Sequence, residues 1–210
     1  MKFKYFLDNS AGWAGVIFES GSFSAMYRVS HCLGDDIGDL LKGLVVLLKE
    51  EEPETEFDRE LKELGCEIPE KDNDYKWLID EEGSTIEMIF SLCNDSDKIN
   101  LKIIEIIANY IEEKRDWEEE KICVFNEEID LNELVDNILE SCSEILTKYG
   151  IIGYYNNFWH EFPILNYLLL KNYRRKKLIF DTFEEKCPHG IIEEMRRTNL
   201  KGEIEYLLNE

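Results

Sequence analysis

Two of the three histidines in this chain stand beside cysteines, as His31-Cys32 and as Cys187-Pro188-His189. If folding brought the two pairs together they would form a Cys2His2 ligand set, which suits zinc. Adjacent ligands chelate poorly, however, and the chelating spacings of structural zinc sites are absent, so core cysteines and surface histidines are the plainer reading. A cysteine–histidine nucleophile has no better support, and no serine stands in a GxSxG turn. Phosphate loops are excluded as well. "GDDIGD" (34–39) puts carboxylates where such a loop needs bare backbone and a lysine, and "GIIG" (150–153) follows a helical pattern instead of opening one.

Carboxylates are the remaining chemical resource. Asp35, Asp36 and Asp39 lie close enough in sequence for acid–base or magnesium chemistry. Capping of the helix that follows accounts for Asp35 and Asp36 without any chemistry, and Asp39 falls on the polar face of that helix. An acid–base pair needs carboxylates in unlike environments.

Two longer stretches carry charge on another scale. "KEEEPETEFDRELKELGCEIPEKDND" (49–74) sets twelve acidic side chains against four basic ones, and Glu105 to Asp130 sets ten against three. Solvation alone accounts for many such runs. Here Phe57, Leu61, Leu64, Ile68 and Trp117 are interleaved with the acids, and apolar anchors within a charged field are what a partner surface needs. The expected contact residues are Glu50, Glu51, Glu52, Glu54, Glu56, Phe57 and Asp58 in the first run. In the second they are Glu112, Glu113, Asp116, Trp117, Glu118, Glu119 and Glu120. Arg28 and the basic cluster Lys171 to Lys177 are expected to face away or to pair internally.

The elements that must position these residues follow from periodicity. Phe3 to Leu7, Gly12 to Ser20 and Ser22 to Ser30 read as strands, the last two as a hairpin around Gly21. From Ile37, apolar residues three and four apart predict a helix that ends near Glu50. "DYKWLIDEEGSTIEMIFSLC" (74–93) reads as a second hairpin. "KINLKIIEII" and "EKICVFNEEI" read as further strands with the charged "EEKRDWEEE" as their connector, although the isoleucine-rich segment also fits a short helix. Asp130 to Tyr149 is an amphipathic helix with Asp130 as cap and Gly150 as its stop. After a glycine- and aromatic-rich connector, Phe162 to Lys171 is another helix, and the tail from Asp181 holds two short helical candidates. The expected fold is α+β: one mainly antiparallel sheet of about six to eight strands, helices on one face, and a helical tail. Residues 1–175 form the domain, and 176–210 a helical extension packed on it.

A chain of 210 residues with 44% hydrophobic residues can bury a real core, and a net charge of −22 disfavours nucleic acid or an anionic membrane as partner. The six cysteines are widely spaced with no CxxC pair, and no apolar run is long enough for a leader or a membrane span. A reduced, cytoplasmic protein is therefore expected, whether monomer or dimer.

Three segments carry a resemblance: "FSAMYRVSHCLGDDIGDLLKGLVVLL", "DYKWLIDEEGSTIEMIF" and "DLNELVDNILESCSEILTKYGIIGYYNNFWHEFPILNYLLL". Together they resemble an uncharacterised family of small bacterial α+β proteins over roughly residues 13 to 171. The resemblance implies the α+β fold and brings no catalytic motif. In its acidic character the chain is also similar to bacterial toxin-immunity proteins, such as those of contact-dependent growth inhibition. That likeness implies a cytoplasmic immunity protein that occludes a basic toxin, a nuclease for preference, without catalysis, cofactor or metal. The other expectations are an enzyme with a carboxylate or Cys/His metal site, and an acidic scaffold subunit.

Overall fold

Alternating apolar and polar residues at the start of the chain make a three-stranded antiparallel meander, β1 (Lys2–Leu7), β2 (Trp13–Ser20) and β3 (Phe23–Ser30). The computed structural model describes residues 1–8, 13–30, 35–48, 74–81, 84–94, 97–111, 116–175, 181–186, 192–197 and 199–208. Ser20 pairs with Phe23, so only two residues make the β2–β3 turn. Gly21 takes the positive φ (56°) that so tight a hairpin requires. Phe3, Tyr5, Leu7, Val16, Phe18, Tyr27 and Val29 put one face of this sheet into the core.

A second antiparallel sheet contains β4 (Asp74–Glu81), β5 (Ser84–Leu92), β6 (Lys98–Ile111) and β7 (Asp116–Asp130) in that order. Period-two burial recurs here: Trp77 and Ile79, Ile86, Met88 and Phe90, Ile99, Leu101 and Ile103, then Phe125 and Ile129. The two sheets meet through these side chains. Phe125 takes Phe18 edge-on at 5.0 Å and Phe23 at 5.1 Å between ring centres, and Tyr27 donates its hydroxyl hydrogen to Glu105 at 3.2 Å. The sheet expected as one is therefore two, of three and four strands. Period two fixes which face is buried, but not where the ladder of hydrogen bonds is interrupted.

Helix α1 (Asp36–Leu48) buries Ile37, Leu40, Leu41, Leu44 and Leu47 and packs against β4. Tyr75 donates to the Asp39 carbonyl (2.6 Å) and Trp77 Nε1 to the Asp36 carbonyl (2.9 Å). Gly43 permits this approach, because a Cβ there would lie 1.9 Å from the Tyr75 ring.

Helix α2 (Leu131–Phe158) starts where Asp130 accepts the Glu133 amide hydrogen at 2.7 Å. At Gly150 (φ 64°, ψ 178°) its helical geometry breaks, as expected of that glycine. The chain then resumes as helix through Phe158, where a connector is expected from sequence, because Tyr154 and Phe158 are buried one turn apart. Before the break, α2 lies along β1. The outward amides of Phe3 and Tyr5 donate to Asn137 Oδ1 (3.3 Å) and Ser141 Oγ (3.1 Å), and Lys4 pairs with Glu144 at 2.7 Å. Two residues along a strand span ~6.6 Å and four along a helix ~6 Å, so the rows stay in step. The edge of the first sheet is thereby closed.

Helix α3 (Ile164–Arg175) packs on α1 and α2, and α4 (Leu200–Leu208) packs on α3. Between them β8 (Asp181–Lys186) and β9 (Ile192–Arg197) form a hairpin. The tail from Asp181 is thus a hairpin followed by one helix, not two helices. "TFEEK" and "IEEMRR" can be read with either period, and pairing with each other satisfies the backbone of both.

Candidate partner-binding site

The strand register shows where the acidic residues go. β5 stops pairing with β6 at Ser84 opposite Ile107, whereas β6 and β7 continue to Ile111 opposite Asp116. Residues 108–111 and 116–119 thus form a two-stranded ribbon beyond the four-stranded sheet. Glu118, Glu119 and Glu120, assigned from sequence to a connector, are strand residues, and their side chains are exposed.

Register also sorts their faces. Glu118, Glu120 and Ile122 lie opposite Asn109, Ile107 and Glu105 on one face, and Glu119 and Lys121 lie opposite Ala108 and Ile106 on the other. On the first face Ile107 and Ile122 are diagonal neighbours, 36% and 40% exposed. Two half-exposed isoleucines therefore sit among Glu118 and Glu120, and Tyr27 tethers Glu105 at the core end of the same face. Lys121, the basic residue between Glu118 and Ile122, reaches 3.9 Å from Glu87, which also takes Lys76 at 3.4 Å. Neither Glu119 nor Glu120 has an ion-pair partner among the described residues. The base of the ribbon thus presents carboxylates beside an apolar pair, suited to a partner that brings cations and a small apolar surface.

Glu50, Glu51, Glu52, Glu54, Glu56, Phe57, Asp58, Glu112 and Glu113 lie outside the described residues, and so do His31, Cys32, Cys187 and His189. Asp116 and Trp117 are placed in β7 by their backbone alone. Ile107 and Ile122 are absent from the residues expected from sequence. Carrying the alternation of β7 back through the acids, as Ile122, Glu120, Glu118, would have found Ile122.

The carboxylates around α1 are arranged differently from the expectation that capping explains both Asp35 and Asp36. Asp35 is the cap, accepting the Gly38 amide hydrogen at 3.1 Å. Asp36 is 8% exposed, and its Oδ2 has no hydrogen-bond partner among the described residues, nor does the hydroxyl of fully buried Tyr154. Burial pushes the Asp36 carboxyl up to about 7, with Asp39, Asp35 and Asp80 adding to the shift. Burial likewise raises Asp35, against the Gly38 hydrogen bond and the charge of His160. These are unlike environments, but the unpartnered oxygen of Asp36 is closed to solvent. Among the described residues no three His, Cys, Asp or Glu side chains are placed to hold a metal ion.

Of the basic cluster, Lys171 and Arg174 are engaged within the fold, Arg175 is exposed, and Lys176 and Lys177 lie outside the described residues. Lys171, 3% exposed, donates to the Tyr206 carbonyl (2.9 Å) and lies 5.5 and 5.1 Å from the ring centres of Tyr167 and Tyr206. Tyr206 returns a hydrogen bond to the Lys171 carbonyl (2.7 Å), clasping α4 to α3. Arg174 is held by both oxygens of Asp136, and Arg28 stacks over Trp13 at 4.6 Å beside Asp8. Lys171, Arg174 and Arg175 share a cleft of about 510 Å³ with Asp136, Glu140, Ser143 and Tyr167. Burial pushes the Cys142 thiol up to about 12, which makes it an unreactive core group. Among the described residues no helix is long and apolar enough to cross a membrane. The chain matches no family model, no curated protein and no solved structure.

Proposed function

We propose that the chain is a non-enzymatic binding protein of the immunity type, which neutralises a basic toxin, for preference a nuclease, by covering its substrate-binding surface in the cytoplasm. The observation that carries this reading is the base of the β6–β7 ribbon, where exposed Glu118 and Glu120 flank Ile107 and Ile122. The carboxylates occupy the cationic residues that would otherwise hold phosphates, and the isoleucines exclude water at the centre of contact. A net charge of −22 adds long-range attraction that speeds encounter and weakens with salt.

The alternative of a carboxylate enzyme draws support from Asp36, but a carboxylate oxygen with no exposed surface favours a structural role. A scaffold subunit would share the acidic ribbon and differ in how long its complexes last. The test is inhibition: the protein encoded beside this one is assayed for nuclease activity with and without the chain. Stoichiometric loss of activity, with dissociation over hours, supports an inhibitor. Undiminished activity at molar excess refutes it.

A further inference from the structure

β7 is the last strand of its sheet, and no described strand pairs with its outer edge. Every second backbone N–H and C=O along that edge therefore points away from β6. Charge, proline, a bulge or a covering helix commonly blunts an edge of this kind. β1, the corresponding edge of the first sheet, is covered by α2, and β7 is treated differently. It carries one bulge, at Val124, where Cys123 pairs with Ile104 and Phe125 with Ile103. A bulge bends the strand and interrupts regular pairing. On the ribbon side of it, Glu118 to Ile122 run in unbroken register against Asn109 to Glu105. The β5 ladder ends at Ile107, so beyond that point the ribbon is an isolated pair of strands, which is marginally stable in water on its own. A strand added along the outer edge of β7 would give that pair, with Glu118 and Glu119 against Asn109 and Ala108, a third member, and would run on past Glu120 to cover Ile122, where β5 already backs β6.

We propose that the outer edge of β7 from Glu118 to Ile122 takes up one extended strand of the cationic partner. This rests on the binding-protein reading above and adds the mode of recognition to it. Backbone hydrogen bonds supply part of the affinity, and cross-strand pairs supply the choice of partner. The incoming strand carries lysine or arginine opposite Glu118 and Glu120, on one face, and an apolar residue opposite Ile122 on the same face. Glu119 receives a cation on the other face. The partner segment thus reads basic, basic, basic, any, apolar, in either direction.

The test uses the full chain and a blocked Val-Thr-Lys-Lys-Lys-Thr-Val peptide, which reads the same in both directions, with two further versions N-methylated on every second residue, one in each phase. The unmethylated peptide is expected to bind saturably at low salt and to slow exchange of the outward amides among residues 118–122 by at least tenfold. One methylated version, the one whose missing N–H groups face β7, binds at least tenfold more weakly, and the other binds like the parent. If both methylated versions match the parent, or the amides of residues 118–122 exchange unchanged, strand addition is overturned while the acidic-surface reading stands. If no peptide binds saturably at low salt, both fall.

Discussion

At the scale of single residues, Asp36 is the clearest departure from ordinary folding economy. A buried carboxylate with one oxygen unpartnered is costly while ionised, and its carboxyl is accordingly raised from 3.8 to about 7. The native state thus binds this proton more tightly than the unfolded chain does. The stabilisation is full below pH ~4, where both states are protonated, and is lost as pH rises through ~7. Asp36→Asn keeps the shape and removes the titration. The variant should gain about 2–4 kcal/mol over the parent at pH 8 and little at pH 4, as read by urea unfolding at both values. An equal difference at the two pH values would contradict the buried-charge account. Gly43 makes the opposite point. A methyl group there meets the Tyr75 ring at 1.9 Å, so Gly43→Ala should destabilise by about 1–3 kcal/mol, despite alanine's better helix propensity. The midpoint of chemical unfolding reads this directly.

At the scale of elements, the closed edge of β1 depends on two side chains of α2. Ser141→Ala leaves the buried Tyr5 amide without an acceptor and should cost about 1–3 kcal/mol, with faster exchange at the Tyr5 amide. A stability unchanged within ~0.5 kcal/mol would mean that water satisfies the strand just as well. Much of this level is legible in sequence. The Gly21 hairpin, the stripe from Ile37 to Leu47 and the run from Leu131 to Ile145 follow from side-chain period alone, because burial on one face leaves a regular trace. What periodicity misses is pairing over distance. The acidic residues 116–120 look like a connector because strands are recognised by apolar alternation, and Glu118, Glu119 and Glu120, all exposed, have none to show. The tail from Asp181 is misread for a related reason, since its strands are specified by each other.

At the scale of the molecule, charge is distributed unevenly in a way that composition does not reveal. Two cations of α3 are engaged within the fold, Lys171 in the Tyr167–Tyr206 cage and Arg174 on Asp136, while Glu118, Glu119 and Glu120 are exposed on β7. The sequence identifies the acidic stretch as a candidate surface, and the strand register adds its apolar centre. Because these glutamates stand clear of the core, the triple variant Glu118→Lys, Glu119→Lys, Glu120→Lys should keep the parent's stability to within about 0.5 kcal/mol. That makes it a clean probe of binding. The most direct measurement is calorimetric titration of the adjacent-gene protein with parent and triple variant, at low and high salt. The account predicts tight parent binding that weakens with salt, and at least a hundredfold loss in the folded variant. Equal affinity of the two, or binding indifferent to salt, would contradict an acidic ribbon as the partner surface.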